Sequence, residues 1–226
     1  MEKTAVIVAR SGSIRVKNKA LQLLGEYSLL ARKILQLSKC QNIDRIIVGS
    51  DSEEILLHAD YYGAETVKRE NYYCDEKKCS ANEMIENMCS LIETDLIIWA
   101  HCTNPLITPS TYDLAIDTFI KSKKHGYDSL LSVISLQEHL WSTEKKPLNY
   151  NPYQEKHTLA KDIEPYYMQD GGIFIQQRDD MLRNKYFFGK TPYLFSLPEN
   201  EFFDINTERD LHIARSLCKF YNRENI

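Results

Sequence analysis

Apolar and polar positions follow two patterns along the chain. Apolar runs of strand length, typical of strands buried on both faces, lie within 5–9, 45–50, 95–100, 129–133, 171–175 and 193–197. A short strand is also predicted at 65–67. Apolar residues at helical spacing lie at 29–37, 51–63, 80–92, 111–121, 179–184 and 207–220. Because strands and helices alternate, the sequence predicts an α/β fold of three layers, with a mostly parallel sheet and helices on both faces.

The stretch 137–169, called the arm below, has neither a helical nor a strand period. It is polar, contains three prolines and is rich in aromatic residues, which are Trp141, Tyr150, Tyr153, Tyr166 and Tyr167. Such a composition indicates either a lid over a site or a contact with another subunit. Because no linker and no repeat interrupts the rest, we predict a single domain over 1–226 with the arm inserted in it.

Composition narrows the class of protein. The 226 residues are 43% hydrophobic and 27% charged, which is typical of globular proteins, and the net charge of −4 argues against a nucleic-acid binder. No apolar run approaches the roughly 20 residues of a membrane span, and the first residues lack the apolar region of a secretory signal. The six cysteines are scattered, which argues against a disulfide framework or a zinc site and favours a reduced, cytoplasmic protein.

The loop after the first strand is the sharpest chemical feature, because ligands of parallel sheets bind beyond the carboxyl ends of the strands. Its small residues, Ser11, Gly12 and Ser13, let backbone N–H groups approach an anion closely. Its cations are Arg10, Arg15, Lys17 and Lys19. Such a loop can bind a triphosphate and stabilise charge on a leaving pyrophosphate, although it lacks the ending of a Walker loop. The alternative is a solvated basic turn.

A second feature is Asp204, which follows an aromatic pair and precedes the last predicted helix. Asn206 or Thr207 is the expected cap of that helix. One interpretation is that Asp204 holds Mg²⁺, which prefers oxygen ligands and keeps waters and substrate phosphates in its shell. The other is that Asp204 takes part only in ordinary capping.

Four segments, in order along nearly the whole chain, resemble the CMP-sialic acid synthetase (acylneuraminate cytidylyltransferase) family. ARSGSIR at 9–15, followed by Lys19, resembles the opening signature of that family, which CMP-Kdo synthetases and spore-coat polysaccharide nucleotidyltransferases share. CTNPL at 102–106 resembles its PTSPL loop, and YMQDGGIF at 167–174 resembles its YxxNGAIY segment. DINT at 204–207 resembles its metal motif, DIDT.

The resemblance implies a Rossmann-like nucleotidyltransferase fold, CTP as the donor, Mg²⁺ as the cofactor and a homodimer built partly by the arm. It implies transfer of CMP to an anionic acceptor with release of pyrophosphate, the acceptor being a nonulosonic or Kdo-like sugar acid for surface glycan synthesis. Two alternatives stay open: a phosphate or phosphonate acceptor, and a non-catalytic nucleotide-binding relative.

Carried over by position, the resemblance also implies roles for individual residues. The catalytic residues would be Arg10, Lys19 and Asp204. The nucleotide would be bound by Ala9, Arg10, Ser11, Gly12, Ser13, Arg15, Lys19, Arg69, Ser80 and His101. The acceptor would be bound by Asn104, His139, Tyr167, Gln169 and Asp170, and the metal by Asp204 and Asn206. For His139, a surface or dimer role is the alternative.

Five departures from the family pattern bear on the site, and they are Ala20 for Asn, His101 for Gln, Ile107 for Arg, Asp170 for Asn and Asn206 for a second metal carboxylate. Asn206 removes one formal charge, so we expect weaker metal binding or compensation by phosphate oxygens. Asp170 adds a carboxylate near the acceptor, which favours an acceptor with an ammonium or amide group over an ordinary sialic acid.

Overall fold

The computed structural model describes residues 1–13 and 15–221, so Ile14 of the first motif lies outside the described residues. The strands are β1 (Lys3–Val8), β2 (Leu23–Leu24), β3 (Tyr27–Ser28), β4 (Arg45–Ser50), β5 (Glu65–Lys68), β6 (Leu96–Ala100), β7 (Ser129–Leu136), β8 (Tyr166–Gln177) and β9 (Pro192–Ser196). The α-helices are α1 (Leu29–Leu37), α2 (Glu53–Tyr61), α3 (Ala81–Ser90), α4 (Pro109–Ser122), α5 (Arg178–Asn184) and α6 (Glu208–Phe220).

Seven strands form one sheet in the order β5-β4-β1-β6-β8-β7-β9. The pairs of β1 with β4 and β6, of β4 with β5, and of β7 with β9 are parallel, whereas β8 runs antiparallel to β6 and β7. The predicted mostly parallel sheet is therefore confirmed. β1 lies between two parallel neighbours, with Val6 opposite Ile47 on one side and Trp99 on the other.

Helices cover both faces of the sheet, which confirms the three predicted layers. Ala5 and Ile7 belong to one buried apolar cluster, and Val6 and Trp99 belong to a second. Successive side chains of a strand point to opposite faces, so the continuous apolar run of β1 feeds both clusters at once. The parallel strands β1, β4 and β6 thus end at one edge of the sheet, and the loops after them meet there.

α1 is buried on almost every side, including its polar residues. The Nε of Arg32 and the Nε2 of Gln36 both donate to the carbonyl of Pro105, at 3.1 and 2.7 Å, and the Nζ of Lys33 donates to the carbonyl of Asn104 at 2.9 Å. The sequence pattern predicts an amphipathic helix here. Its polar side chains point inward because they donate hydrogen bonds to carbonyl groups of the loop that follows β6.

The structure corrects the boundary of the aperiodic stretch. The last four residues of the arm, 166–169, begin the long strand β8 and pair with 133–136 of β7. Apolar and polar residues do not alternate in this part of the strand, because all four residues are exposed. The hydrophobic pattern therefore does not reveal a strand there. A second difference is the small hairpin of β2 and β3, which the sequence did not predict and which is too short to show a period.

All six cysteines are free and buried. None of the helices in the described part of the chain is both long and apolar enough to cross a membrane.

Candidate active site

A cavity of about 470 Å³ opens at the edge of the sheet where β1, β5 and β6 end, and we call it the first cavity. It is lined by Val8, Arg10, Arg69, Tyr73, Cys74, Glu76, Cys79, Ser80, Ala81, Met84 and His101. Four of the predicted nucleotide-binding residues, which are Arg10, Arg69, Ser80 and His101, therefore meet here, although they come from three different loops. The loops converge because parallel strands carry their carboxyl ends to the same edge.

Arg69 is fully buried in the wall of the first cavity. Its Nε donates to Asn87 Oδ1 at 3.2 Å and one Nη donates to the carbonyl of Tyr73 at 3.1 Å, whereas the other Nη, although buried, has no hydrogen-bond partner. Burial lowers the pKa of Arg69. A buried donor without a partner costs free energy, so an acceptor oxygen of a ligand in the cavity would relieve that cost.

Gly49, at the end of β4, makes room for this arginine. A Cβ at that position would lie 2.8 Å from Arg69 Cδ and 2.5 Å from Met88 Sδ. Gly49 was not among the predicted site residues. Its only signal was a glycine inside an apolar strand, which often marks a close approach of other atoms.

Ser80 and His101 complete the polar part of the first cavity. Ser80 caps α3: its hydroxyl accepts from Glu83 N at 3.2 Å and donates to Glu83 Oε2 at 2.7 Å. His101 Nδ1 lies 2.6 Å from the carbonyl oxygen of Gly171. Because a carbonyl only accepts, Nδ1 carries the proton and Nε2 carries a lone pair. Burial lowers the pKa of His101, which favours the neutral ring.

The first loop runs along the rim of the first cavity, where Ser13, Arg15 and Lys19 line a small cleft together with Arg10. Arg10 forms an ion pair with Glu76 and donates to the carbonyl of Cys74 at 3.4 Å. These cations are close enough to act on one bound group of phosphates.

Carboxylates occupy several donors of the first loop. Besides the pair of Glu76 with Arg10, Asp51 accepts hydrogen bonds from the backbone N of Ser11 at 3.1 Å and from its hydroxyl at 2.9 Å. Gly12 lines the adjoining surface, with open space where a Cβ would lie, and Ala9 N donates to the carbonyl of Gly49 at 3.1 Å. A carboxylate on such a donor has the charge and the oxygens of a phosphate group.

Lys19 connects the first loop to the Asp204 segment. Its Nζ donates to the carbonyl of Ile205 at 2.7 Å. Burial lowers the pKa of Lys19 and the negative charge of Asp204 opposes that shift. The predicted catalytic residues Lys19 and Asp204 are therefore neighbours, although they are far apart in sequence.

A second cavity of about 380 Å³ lies beside the Asp204 segment. It is lined by Met168, Gln169, Asp170, Phe202, Phe203, Asp204, Asn206 and Asp210. Four predicted residues meet in it: two for the acceptor, Gln169 and Asp170, and two for the metal, Asp204 and Asn206. Tyr167 and His139 do not line it, since Tyr167 is exposed on β8 and His139 Nε2 lies 2.9 Å from the carbonyl of Thr158 within the arm.

The carboxylate of Asp170 is fixed inside the wall of the second cavity. Ser132 donates a short hydrogen bond to it, and Asn104 Nδ2 lies 3.4 Å from Oδ2. Burial raises the pKa of Asp170. Asn104 is itself buried behind Asp170, with its carbonyl held by Lys33, so it supports the cavity wall rather than lining the cavity.

The segment at Asp204 offers a carboxylate and an amide to a divalent cation. Oδ2 of Asp204 accepts from Asn206 Nδ2 at 2.6 Å, which orients the Asn206 amide and leaves its Oδ1 as an oxygen ligand. Thr207 caps α6 in a capping box with Asp210, so Thr207 and not Asn206 is the cap. The described residues contain no group of three or more His, Cys, Asp or Glu side chains arranged for a metal. One carboxylate and one amide oxygen fit Mg²⁺ that takes its other ligands from water and phosphates.

Seven residues that line the first cavity were not among the predicted site residues, and they are Val8, Tyr73, Cys74, Glu76, Cys79, Ala81 and Met84. Four of them belong to the polar stretch between β5 and α3, which contains a short 3₁₀ helix at Asn71–Cys74. The only signal was the position of that stretch after a strand of the sheet.

Comparisons with known proteins agree with this geometry. The family described as Cytidylyltransferase matches residues 4–219. Post-translational flagellin modification protein B of Campylobacter coli is 26% identical, with 98% of this chain and 97% of that protein aligned. A pseudaminic acid cytidylyltransferase of Campylobacter jejuni is 25% identical, with 97% of each aligned.

Among solved structures, CMP-2-keto-3-deoxy-manno-octonic acid synthetase complexed with CTP superposes with a TM-score of 0.69. The alignment covers 98% of this chain and all of that one, at 15% identity. This similarity shows the fold, which is the nucleotidyltransferase fold expected from the sequence.

Proposed function

Because the chain belongs to the cytidylyltransferase family, and so is a CTP-dependent nucleotidyltransferase, we propose that it transfers CMP from CTP to a nonulosonic or Kdo-like sugar acid. The anomeric hydroxyl of the acceptor attacks the α-phosphorus of CTP and pyrophosphate leaves. The names of the relatives support this acceptor class, since one of them is a pseudaminic acid cytidylyltransferase.

The observation that carries the proposal is the unpartnered Nη of Arg69 in the first cavity. Cytosine has a carbonyl oxygen that accepts such a donor, and Ser80 lies in the same wall. The base in the first cavity would direct the triphosphate along the rim, toward Arg10 and Lys19. These two cations would then offset the charge that develops on the leaving pyrophosphate.

Asp204 and Asn206 are the residues that would hold Mg²⁺. When bound, Mg²⁺ would neutralise part of the triphosphate charge. Lys19 positions this segment through the carbonyl of Ile205, so the first loop and the metal residues act on the same phosphates.

The acceptor would occupy the second cavity, beside Gln169 and Asp170. We also propose that the protein is a homodimer in which the arm contacts the partner subunit, since Trp141 and Tyr153 of the arm are exposed. The six free cysteines support a reducing compartment such as the cytoplasm.

The test is an acceptor screen that measures pyrophosphate. The purified protein is incubated with Mg²⁺, CTP and one of several acceptors: pseudaminic, legionaminic and N-acetylneuraminic acids, Kdo, and a set of phosphate and phosphonate compounds. We expect pyrophosphate only with CTP and a sugar acid. If pyrophosphate is released only with a phosphate or phosphonate compound, the acceptor belongs to that class instead of the sugar acids. If no acceptor gives pyrophosphate, the proposal is overturned.

A matched variant tests the part assigned to Arg69. Arg69→Met should raise the KM for CTP by about tenfold or more, because a hydrogen bond from a charged donor contributes about 1.5–3 kcal/mol. Arg183→Met, at an exposed arginine of α5, is the control and should leave the KM unchanged. An unchanged KM for CTP in Arg69→Met would show that the cytosine base does not bind to Arg69 in the first cavity.

A further inference from the structure

His101 lies at the boundary between the two cavities. Its ring lines the first cavity, and its Nδ1 is bonded to the carbonyl of Gly171, the residue after Asp170 in the wall of the second. The rings of Phe174 and Phe187 meet it edge-on, with centroids 6.1 and 6.0 Å away. The imidazole is therefore held in one orientation between the expected positions of the nucleotide and the acceptor.

The two ring nitrogens of His101 have different roles in this arrangement. Nδ1 donates its proton to the Gly171 carbonyl, which fixes the tautomer. Nε2 carries a lone pair and makes no hydrogen bond to the described residues. The ring lines the first cavity, so a substrate group there can approach Nε2. An oriented, neutral imidazole with an open nitrogen is the usual form of a general base.

We propose that His101 Nε2 is the proton acceptor for the attacking hydroxyl of the acceptor substrate. This inference rests on the proposed function. As the O–P bond to the α-phosphorus forms, the hydroxyl proton moves to Nε2, and the bond from the α-phosphorus to the pyrophosphate oxygen breaks. The imidazolium then returns its proton to solvent, so the free base is restored for the next turnover.

The surroundings of His101 suit this role. Burial keeps the ring neutral, and so ready to accept a proton. The charged groups that act on the ring are Asp204 and Asp170, which favour the imidazolium, and Lys33, which disfavours it. The Gly171 carbonyl also favours the imidazolium, because its hydrogen bond with Nδ1 strengthens when the ring is charged. These groups offset part of the cost of charging the buried ring, while burial remains the larger effect and keeps the resting ring neutral.

Two variants separate a proton acceptor from a structural histidine. His101→Asn places an amide near the position of Nδ1, so it keeps a donor to the Gly171 carbonyl and loses Nε2. His101→Gln places an amide near the position of Nε2, where it accepts a hydrogen bond but no proton. His212→Gln, at an exposed histidine of α6, is the matched control.

The measurements are kcat and KM with CTP and an acceptor that supports pyrophosphate release, and CTP affinity by calorimetry. We expect kcat to fall by about 100-fold or more in both His101 variants, the range of general-base effects, while CTP affinity stays within about threefold. The acid limb of the wild-type kcat/KM profile should be missing in both. His212→Gln should match wild type.

Three outcomes would overturn the inference. A kcat within about threefold of wild type in either variant would exclude proton transfer to His101. A loss in His101→Gln alone would assign the residue to holding Gly171. Retention of the acid limb in both variants would place the base elsewhere. If the wild type releases no pyrophosphate with any acceptor, the proposed function fails, and this inference fails with it. If the wild type does release pyrophosphate and one of the three outcomes above is found, only this inference fails.

Discussion

At the scale of single residues, Lys33 is the most unusual charge in the chain. It is fully buried, its Nζ donates to the Asn104 carbonyl and to the Tyr112 hydroxyl at 2.9 Å each, and it lies 4.9 Å from the centre of the Tyr112 ring. Burial lowers its pKa from 10.5 to about 7. Between these two values the unfolded chain binds a proton that the folded chain does not.

The first prediction follows from that difference in proton binding. Because the unfolded state binds more protons between pH 7 and 10.5, the free energy of unfolding should rise with pH, by about 2 kcal/mol from pH 7 to 9 for this group. Urea denaturation at both pH values measures it. Lys33→Met should lose the rise, whereas Lys39→Met, at an exposed lysine, should keep it. An equal rise in Lys33→Met and wild type would contradict the lowered pKa.

The second prediction concerns Gly49. In Gly49→Ala the new Cβ would meet Arg69 Cδ at 2.8 Å and Met88 Sδ at 2.5 Å, so the arginine must shift. We expect a loss of about 1–3 kcal/mol in stability from overpacking, together with a higher KM for CTP. Gly12→Ala is the control for stability, because nothing lies within 4 Å of its Cβ. A variant with wild-type stability and KM would show that this contact does not position Arg69.

The sequence predicted the residues of the site better than their contacts. Arg69 and His101 were assigned because they fall near family positions that shape the nucleotide pocket, and the structure brings both to one cavity. Nothing in the sequence indicated that one Nη of Arg69 is unpartnered or that Nδ1 of His101 is bonded to Gly171. Such contacts join residues that are distant in sequence, and spacing along one chain carries no information about them.

At the scale of elements, the stretch between β5 and α3 decides how the first loop meets its ligand. Glu76 of this stretch pairs with Arg10, the residue that we expect to bind the triphosphate. A carboxylate and a phosphate group compete for the same guanidinium, so the pair must open when the nucleotide binds. We therefore expect this ion pair to weaken the binding of CTP.

The third prediction tests that competition. Glu76→Gln should lower the KM for CTP by about two- to fivefold, because an exposed ion pair contributes only about 0.2–1 kcal/mol. Glu70→Gln removes the same charge from an exposed position nearby and serves as the control for the long-range field. If both variants lower the KM equally, net charge explains the effect, and if neither does, Glu76 does not compete with the phosphates.

Elements were predictable where one face or both were buried. β4 lies at 45–50 as predicted. A strand inside a parallel sheet is covered on both faces, so it forms an apolar run that can be recognised in the sequence. The first part of β8 was missed because it is exposed, and hydrophobic pattern reports burial rather than backbone pairing. α1 was predicted as a helix, but its inward polar face was not, since carbonyl groups that accept from it leave no trace in the sequence.

At the scale of the whole molecule, the sheet brings the two cavities together, and the end of the arm contributes Met168 and Gln169 to the second. Trp141 and Tyr153 are 50% and 88% exposed, and Leu148 and Leu159 of the same arm are exposed as well. Large apolar side chains gathered on one segment mark a surface that another surface covers. The sequence left two possibilities for the arm, a subunit contact or a lid, and they differ in what they do to the molecule.

The last prediction separates these possibilities. If the arm is a subunit contact, light scattering should give twice the mass of 26.4 kDa, and the double variant Trp141→Ser, Tyr153→Ser should give a monomer, because a stable interface buries about 800 Å² on each partner. Tyr61→Ser, at a tyrosine of α2 that is 82% exposed, should leave the mass unchanged. A monomeric wild type whose acceptor KM rises in the double variant would instead assign the arm to covering the second cavity. If both the wild type and the double variant are dimers, the interface is not centred on these two side chains. Losing two large apolar groups would remove several kcal/mol from any interface centred on them.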